Sequence, residues 1–137
     1  MSRPQRTTTS GTSFVIAITH NRRRLFQVDT TAKLFLETLQ RYRAQGLYKL
    51  HAFVIMPDHI HLLLTTEDLP KAIKHIRGGF SHGLASKQEV WQPGYTGRQI
   101  LSEKDHLDAR DYILQNPVRV HLVANAQDFP YSSAFRG

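Results

Sequence analysis

Leu50-His51-Ala52-Phe53-Val54-Ile55-Met56-Pro57-Asp58-His59-Ile60-His61-Leu62-Leu63-Leu64 is the stretch on which the fold turns. Residues 48–56 and 60–65 form two runs rich in apolar and β-branched residues, and Pro57-Asp58 between them is a short turn suited to an antiparallel hairpin. Working outward, Ser13-Phe14-Val15-Ile16-Ala17-Ile18-Thr19 is a further short β-branched run that reads as a buried strand. Between the two, helical spacing at Leu34, Phe35, Thr38 and Leu39 predicts a first helix over residues 30–44, with Thr30 or Thr31 as N-cap and Gly46 as its stop. A second helix is predicted over 69–86. Pro70 suits its first turn, and Gly78-Gly79 weaken it by roughly 1 kcal/mol each relative to alanine. A turn at Gln92-Pro93-Gly94 leads to a last strand around 95–101. A third helix follows over 103–116, capped by Ser102 and stopped by Pro117. The tail from 118 to 137 reads as mixed and loop-like. Strand, helix, strand, strand, helix, strand, helix describes an α+β fold of ferredoxin-like or RRM-like topology, an antiparallel sheet with helices packed on it.

The 137 residues fit one domain, 13–137, behind a flexible basic arm, 1–12, that is rich in Thr and Arg. No apolar run is long enough to cross a bilayer and the N-terminus lacks an apolar signal core, so the expectation is a soluble, cytoplasmic protein with no membrane partner. The absence of cysteine excludes disulfides, thiolate zinc sites and a cysteine nucleophile. Any metal must then sit on His, carboxylate, amide or water ligands, which suit a hard or borderline ion. Eighteen Lys and Arg against eleven Asp and Glu give a formal charge of +7, which makes nucleic acid the leading class of partner.

Three side-chain groups carry candidate chemistry. His59 and His61 alternate along a strand, so both imidazoles share one face about 7 Å apart along the chain and can converge on one ion. Ile60, Leu62 and Leu64 then face the core. A bare His-x-His is more often a pair of half-buried histidines without a ligand. Tyr112 and Asn116, four residues apart, stack on one face of the third helix, with Asp105 and Asp108 roughly in line toward its start. A phenol is a poor nucleophile until its surroundings favour the phenolate or make the phosphate more electrophilic. A divalent cation on His59, His61 and Asn116 can do this by polarising a scissile phosphate for in-line attack by Tyr112. Taken by spacing alone, Tyr112 is more often a helix tyrosine packed on the sheet, and Asn116 a C-terminal cap before Pro117. Finally, Arg22, Arg23 and Arg24, then Lys71, Lys74 and Arg77, then Arg98, Arg110 and Arg119 form a candidate DNA-binding stripe that can follow a phosphate backbone. His51, Tyr48, Trp91, Tyr95 and Phe135 are candidate stacking partners for unpaired bases.

Read together, the Pro57-Asp58-His59-Ile60-His61 block, Val90-Trp91-Gln92-Pro93-Gly94-Tyr95, the Tyr112-Ile113-Leu114-Gln115-Asn116-Pro117-Val118 block and Phe129-Pro130-Tyr131-Ser132-Ser133 resemble the REP-associated tyrosine transposases, single-tyrosine HUH transposases of bacterial insertion sequences. The resemblance runs from about Gly11 to Ser133. It implies the HUH endonuclease fold and a metal-dependent enzyme, with Mg2+ or Mn2+, that nicks single-stranded DNA at a hairpin or palindromic repeat. The products are a 5′-phosphotyrosine and a free 3′-hydroxyl. On this chain it makes His59 and His61 the metal ligands, Asn116 the third ligand and Tyr112 the nucleophile. Insertion-sequence relatives are dimers that can share active sites, so a homodimer is one expectation and a monomer the other. The competing reading is a catalytically idle, domesticated DNA- or RNA-binding module of the same fold. Departures from the pattern are Gly97 before Arg98, where a polar residue is usual, Gly78-Gly79 where basic residues are frequent, and an end soon after the Tyr-Ser-Ser segment.

Overall fold

The computed structural model describes residues 10–137, so most of the arm read from the sequence, residues 1–9, lies outside the described residues. Gly11 and Thr12, assigned to that arm, instead open the first strand, β1 (Gly11–Ile18). They are held there by pairing: Gly11 lies opposite Thr66, and the Thr12 and Thr65 hydroxyls hydrogen-bond at 2.6 Å. Around β1 the chain builds α1 (Asp29–Ala44), β2 (Lys49–Met56), β3 (His59–Thr66), α2 (Leu69–Leu84), β4 (Thr96–Gln99) and α3 (Glu103–Arg119). The sheet order is β2-β3-β1-β4 and every neighbouring pair is antiparallel. This is the α+β, ferredoxin-like arrangement expected from the order of elements.

Strand alternation sorts the core into two layers. On one face Val15, Ala17, Ile60, Leu62 and Leu64 pack under α1 and α2 with Phe26, Phe35, Phe80 and Trp91, whose ring centroids lie 5.3 to 6.1 Å apart. On the other, Phe14, Ala52, Val54, Met56 and Leu63 receive Ala109 and Ile113 of α3, together with Phe129. The sheet is therefore covered on both faces. His59 and His61 share the parity of Leu63, so they open toward α3. In β2 the pairing skips His51, and the extra residue puts Leu50 with the α1 and α2 layer although Ala52 faces α3.

Helix ends differ from the sequence reading in two places. The N-cap position of α1 is Val28, which makes no side-chain bond, and Thr30 and Thr31 lie inside the first turn. The chain enters α1 directly from a 3-10 turn, Leu25–Gln27, anchored by buried Phe26 and by its amide on Pro57 O at 3.0 Å. Asp29 then supplies negative charge at the positive end of the helix. In α3, Ser102 caps as expected by accepting from the Asp105 amide at 3.0 Å, but Pro117 does not stop the helix, which runs on to Arg119. A proline one turn from the end forfeits only its own amide bond, and Val120 N still reaches Asn116 O at 3.3 Å. Arg119 thereby joins the face of Tyr112 and Asn116.

The glycine pair does not break α2. A Cβ on Gly79 would stand 2.7 Å from the Tyr42 hydroxyl, so this glycine lets α1 and α2 approach closely. The tail is not merely loop: Ile55 N donates to Tyr131 O at 2.8 Å and Ser133 N to Phe53 O at 3.0 Å, which covers the outer edge of β2. Among the described residues no helix is long and apolar enough to cross a membrane.

Candidate active site

The site is built where β3 faces α3. Because His59 and His61 stand two apart on one strand, their Nε2 atoms approach to 3.1 Å with ring planes at 83°. The His59 ring is turned by its other nitrogen, which lies 2.7 Å from Asp58 Oδ1. Asp58 also accepts from Arg22 Nη1 at 3.3 Å. Burial opposes ionisation of Asp58, yet the bonds from His59 and Arg22 hold its carboxyl below the usual carboxylate range. His61 is 3% exposed, and burial, then His59 and Arg119, push its pKa down to about 3. It is neutral at pH 7, the form a metal ligand requires. Its Nδ1 is buried without a hydrogen-bond partner, an arrangement that costs about 1–3 kcal/mol.

Across from the pair, the Tyr112 ring stands edge-on to His61, with centroids 5.7 Å apart and planes at 80°. Phe14 fills the corner, 5.7 Å from His61 and 5.9 Å from Tyr112. Although packed on both rings, Tyr112 is 44% exposed, so its phenol is open to a large substrate. The Arg119 guanidinium lies 4.5 Å from the Tyr112 ring centroid and that of Arg98 5.5 Å from the Phe14 ring centroid. Asn116 is buried one turn after Tyr112 on the helix that covers the histidine face. Among the described residues no three His, Cys, Asp or Glu side chains group into a metal site. The two imidazoles and the Asn116 amide are donor types that can serve a hard or borderline cation.

The nine basic residues are not gathered on one face. Arg22 is engaged with Asp58, Arg23 with Gln88 Oε1 at 2.8 Å and with the Glu89 carbonyl, and Arg98 with both Asp105 oxygens at 2.9 and 3.0 Å. Arg77 donates to Gly94 O and Gln92 O at 2.8 and 3.0 Å and lies over Trp91. Arg110 is 3.7 Å from Asp111. Arg24, Lys71 and Lys74 are exposed. The α2 residues stand on the opposite side of the sheet from Arg110 and Arg119 on α3. Of the candidate stacking aromatics, Tyr48 and Trp91 are core, the Tyr48 hydroxyl donating to Leu39 O at 2.5 Å, whereas Tyr95 and Phe135 are exposed. Sequence reasoning missed Asp58 as the orienting partner of His59. Its place immediately before the first histidine was the available signal.

Comparison with known proteins gives the chain a family and its fold solved neighbours. Residues 8–116 match the family described as IS200-like transposases. The REP-associated tyrosine transposase of Escherichia coli K12 is 25% identical over 140 residues, covering 99% of this chain and 84% of that protein. A solved REP-associated tyrosine transposase bound to a REP hairpin superposes with a TM-score of 0.81 at 26% identity, covering 91% of this chain and 77% of the other. A crystal structure of a Deinococcus radiodurans R1 protein assigned as a transposase gives 0.59 at 26% identity, covering 76% and 88%. The chain belongs to the IS200-like transposase family. It is, with its relatives, a DNA nicking and rejoining enzyme of the single-tyrosine type.

Proposed function

We propose that this chain binds single-stranded DNA at a hairpin or palindromic repeat and cleaves it with Tyr112 as the nucleophile. The Tyr112 oxygen forms a bond to the scissile phosphorus, the bond from phosphorus to O3′ breaks, and the departing oxygen takes up a proton to become a free 3′-hydroxyl. The 5′ side stays on the protein as a phosphotyrosine. This conserves the bond, so a 3′-hydroxyl can attack it in reverse and rejoin strands without ATP. The observation that carries the reading is the exposed Tyr112 phenol edge-on to buried, neutral His61, whose Nε2 faces that of His59.

The other side chains have defined work. Asp58 accepts the Nδ1 proton of His59 and so leaves its Nε2 lone pair directed at His61. Arg119 over Tyr112 places a cation where phosphate charge gathers. His59, His61 and Asn116 would hold a divalent cation, Mg2+ or Mn2+, whose chemistry here is Lewis-acid polarisation of a non-bridging phosphate oxygen. Support for a hairpin substrate comes from the REP hairpin bound by the solved relative. Such a substrate puts the enzyme in the cytoplasm, with the chromosome.

The test is a labelled hairpin oligonucleotide with single-stranded flanks, incubated with Mn2+ or Mg2+ and resolved on a denaturing gel. Wild-type protein is expected to retain label covalently, EDTA to abolish this, and Tyr112→Phe to lose the adduct while still binding DNA. Cleavage without an adduct would replace the tyrosine mechanism with attack by water, and binding without cleavage would favour the idle binding module.

A further inference from the structure

The face of the sheet under α3 carries a second pair of histidines, away from the first. On β3 the residues of that face alternate as His59, His61, Leu63 and Thr65, so Thr65 stands about 13 Å along the strand beyond His61. Beside Thr65 is His51, the exposed residue that the pairing of β2 with β3 skips. A bulged residue leaves the alternation of its strand, and its side chain is aimed where regular pairing would not send it. The Nε2 of His51 lies 2.7 Å from the Thr65 hydroxyl, which in turn bonds that of Thr12 at 2.6 Å.

His106 meets His51 from α3. Ala109, Ile113 and Asn116 are buried along one stripe of that helix, and the position three residues before Ala109 continues it. Such a position calls for an apolar residue, yet a half-buried histidine stands there. Its ring centroid is 5.0 Å from that of His51, with the planes at 72°. For His59 and His61 the corresponding values are 4.8 Å and 83°. Two imidazoles bound through nitrogen to one tetrahedral ion, with bonds of about 2.0–2.1 Å, bring their centroids about 5 Å apart.

We infer that His51 and His106 form a second metal site, for a divalent transition-metal cation of the zinc type, which staples the start of α3 to β2. Imidazole nitrogens without a carboxylate suit Zn2+ and not Mg2+. Among the described residues no third His, Cys, Asp or Glu joins the pair, so water completes the four-coordinate shell. The Nε2 proton of His51, donated to Thr65, fixes the ring and leaves the Nδ1 lone pair for the ion. Because α3 also carries Tyr112 and Asn116, the staple holds the helix of the proposed nucleophile at its other end.

The test counts Zn2+ bound by the full-length protein without DNA, by isothermal titration calorimetry. Wild-type protein is expected to bind two ions, one on each histidine pair, and His51→Gln and His106→Gln one each. Thr65→Val should weaken the second ion about tenfold, and Mg2+ should not displace it. Thermal unfolding without metal checks that each variant is folded. With Zn2+ the melting temperature should rise further in wild type than in His106→Gln. One ion on wild type and none on either variant would support the staple while contradicting the metal of the proposed function. Folded His51→Gln and His106→Gln that bind as many ions as wild type, with equal affinity, overturn the staple, because the ions then lie on other residues.

Discussion

At the scale of single residues the histidine pair is asymmetric. His59 is tied through Nδ1 to Asp58, whereas the Nδ1 of His61 is buried without a partner. Orientation of the pair therefore falls on one carboxylate, itself held by Arg22. Asp58→Asn should weaken Mn2+ binding to the DNA-free protein about tenfold, read by electron paramagnetic resonance of the free ion; unchanged affinity would show that Asp58 does not orient His59. The four residues of the proposed chemistry were legible in the sequence because each pair is local. His59 and His61 share a strand face at period two, and Tyr112 and Asn116 share a helix face at a spacing of four. Meeting of the two pairs was not legible from spacing, since it depends on α3 folding back over the sheet. Nor were the burial of His61 and its edge-on contact with Tyr112, a corner where Phe14 from another strand touches both rings.

Among the elements, the two adjacent glycines of α2 separate helix propensity from packing. Gly78→Ala should raise stability by about 0.5–1 kcal/mol in urea denaturation, since its Cβ meets open space. Gly79→Ala should gain clearly less, because the Tyr42 ring must move; equal gains would mean that α1 and α2 are not in close contact there. The sequence showed element order and the central runs well, because apolar periodicity is strong in β1, β2 and β3. It misplaced features that tertiary contacts decide. Pro117 stays within α3 because the remaining bonds of the last turn are kept. The skipped residue His51 changes which side of β2 is buried, and Tyr131 to Ser133 become an edge cover only once the β2 edge exists.

For the molecule as a whole, the formal charge is +7, and among the described residues basic side chains stand on both sides of the sheet, so DNA that touches Arg119 on one side and Lys74 on the other must turn around its end. Several of the cations are already engaged by acids or carbonyls, which leaves Arg24 and Lys74 among the exposed ones. Arg24→Ala and Lys74→Ala should each reduce the salt slope of single-stranded DNA binding by about 0.7; an unaltered slope would take that residue off the path of the strand. The central claim is that this fold serves covalent chemistry at one tyrosine. It is tested most directly by mass spectrometry of the protein after reaction with a cleavable hairpin oligonucleotide and Mn2+. The expected result is an intact mass increased by the 5′ phosphate-linked fragment, and after digestion a modified peptide in which Tyr112 carries the phosphate. Modification of Tyr95 or Tyr131 instead, or cleaved DNA beside unmodified protein, would contradict it.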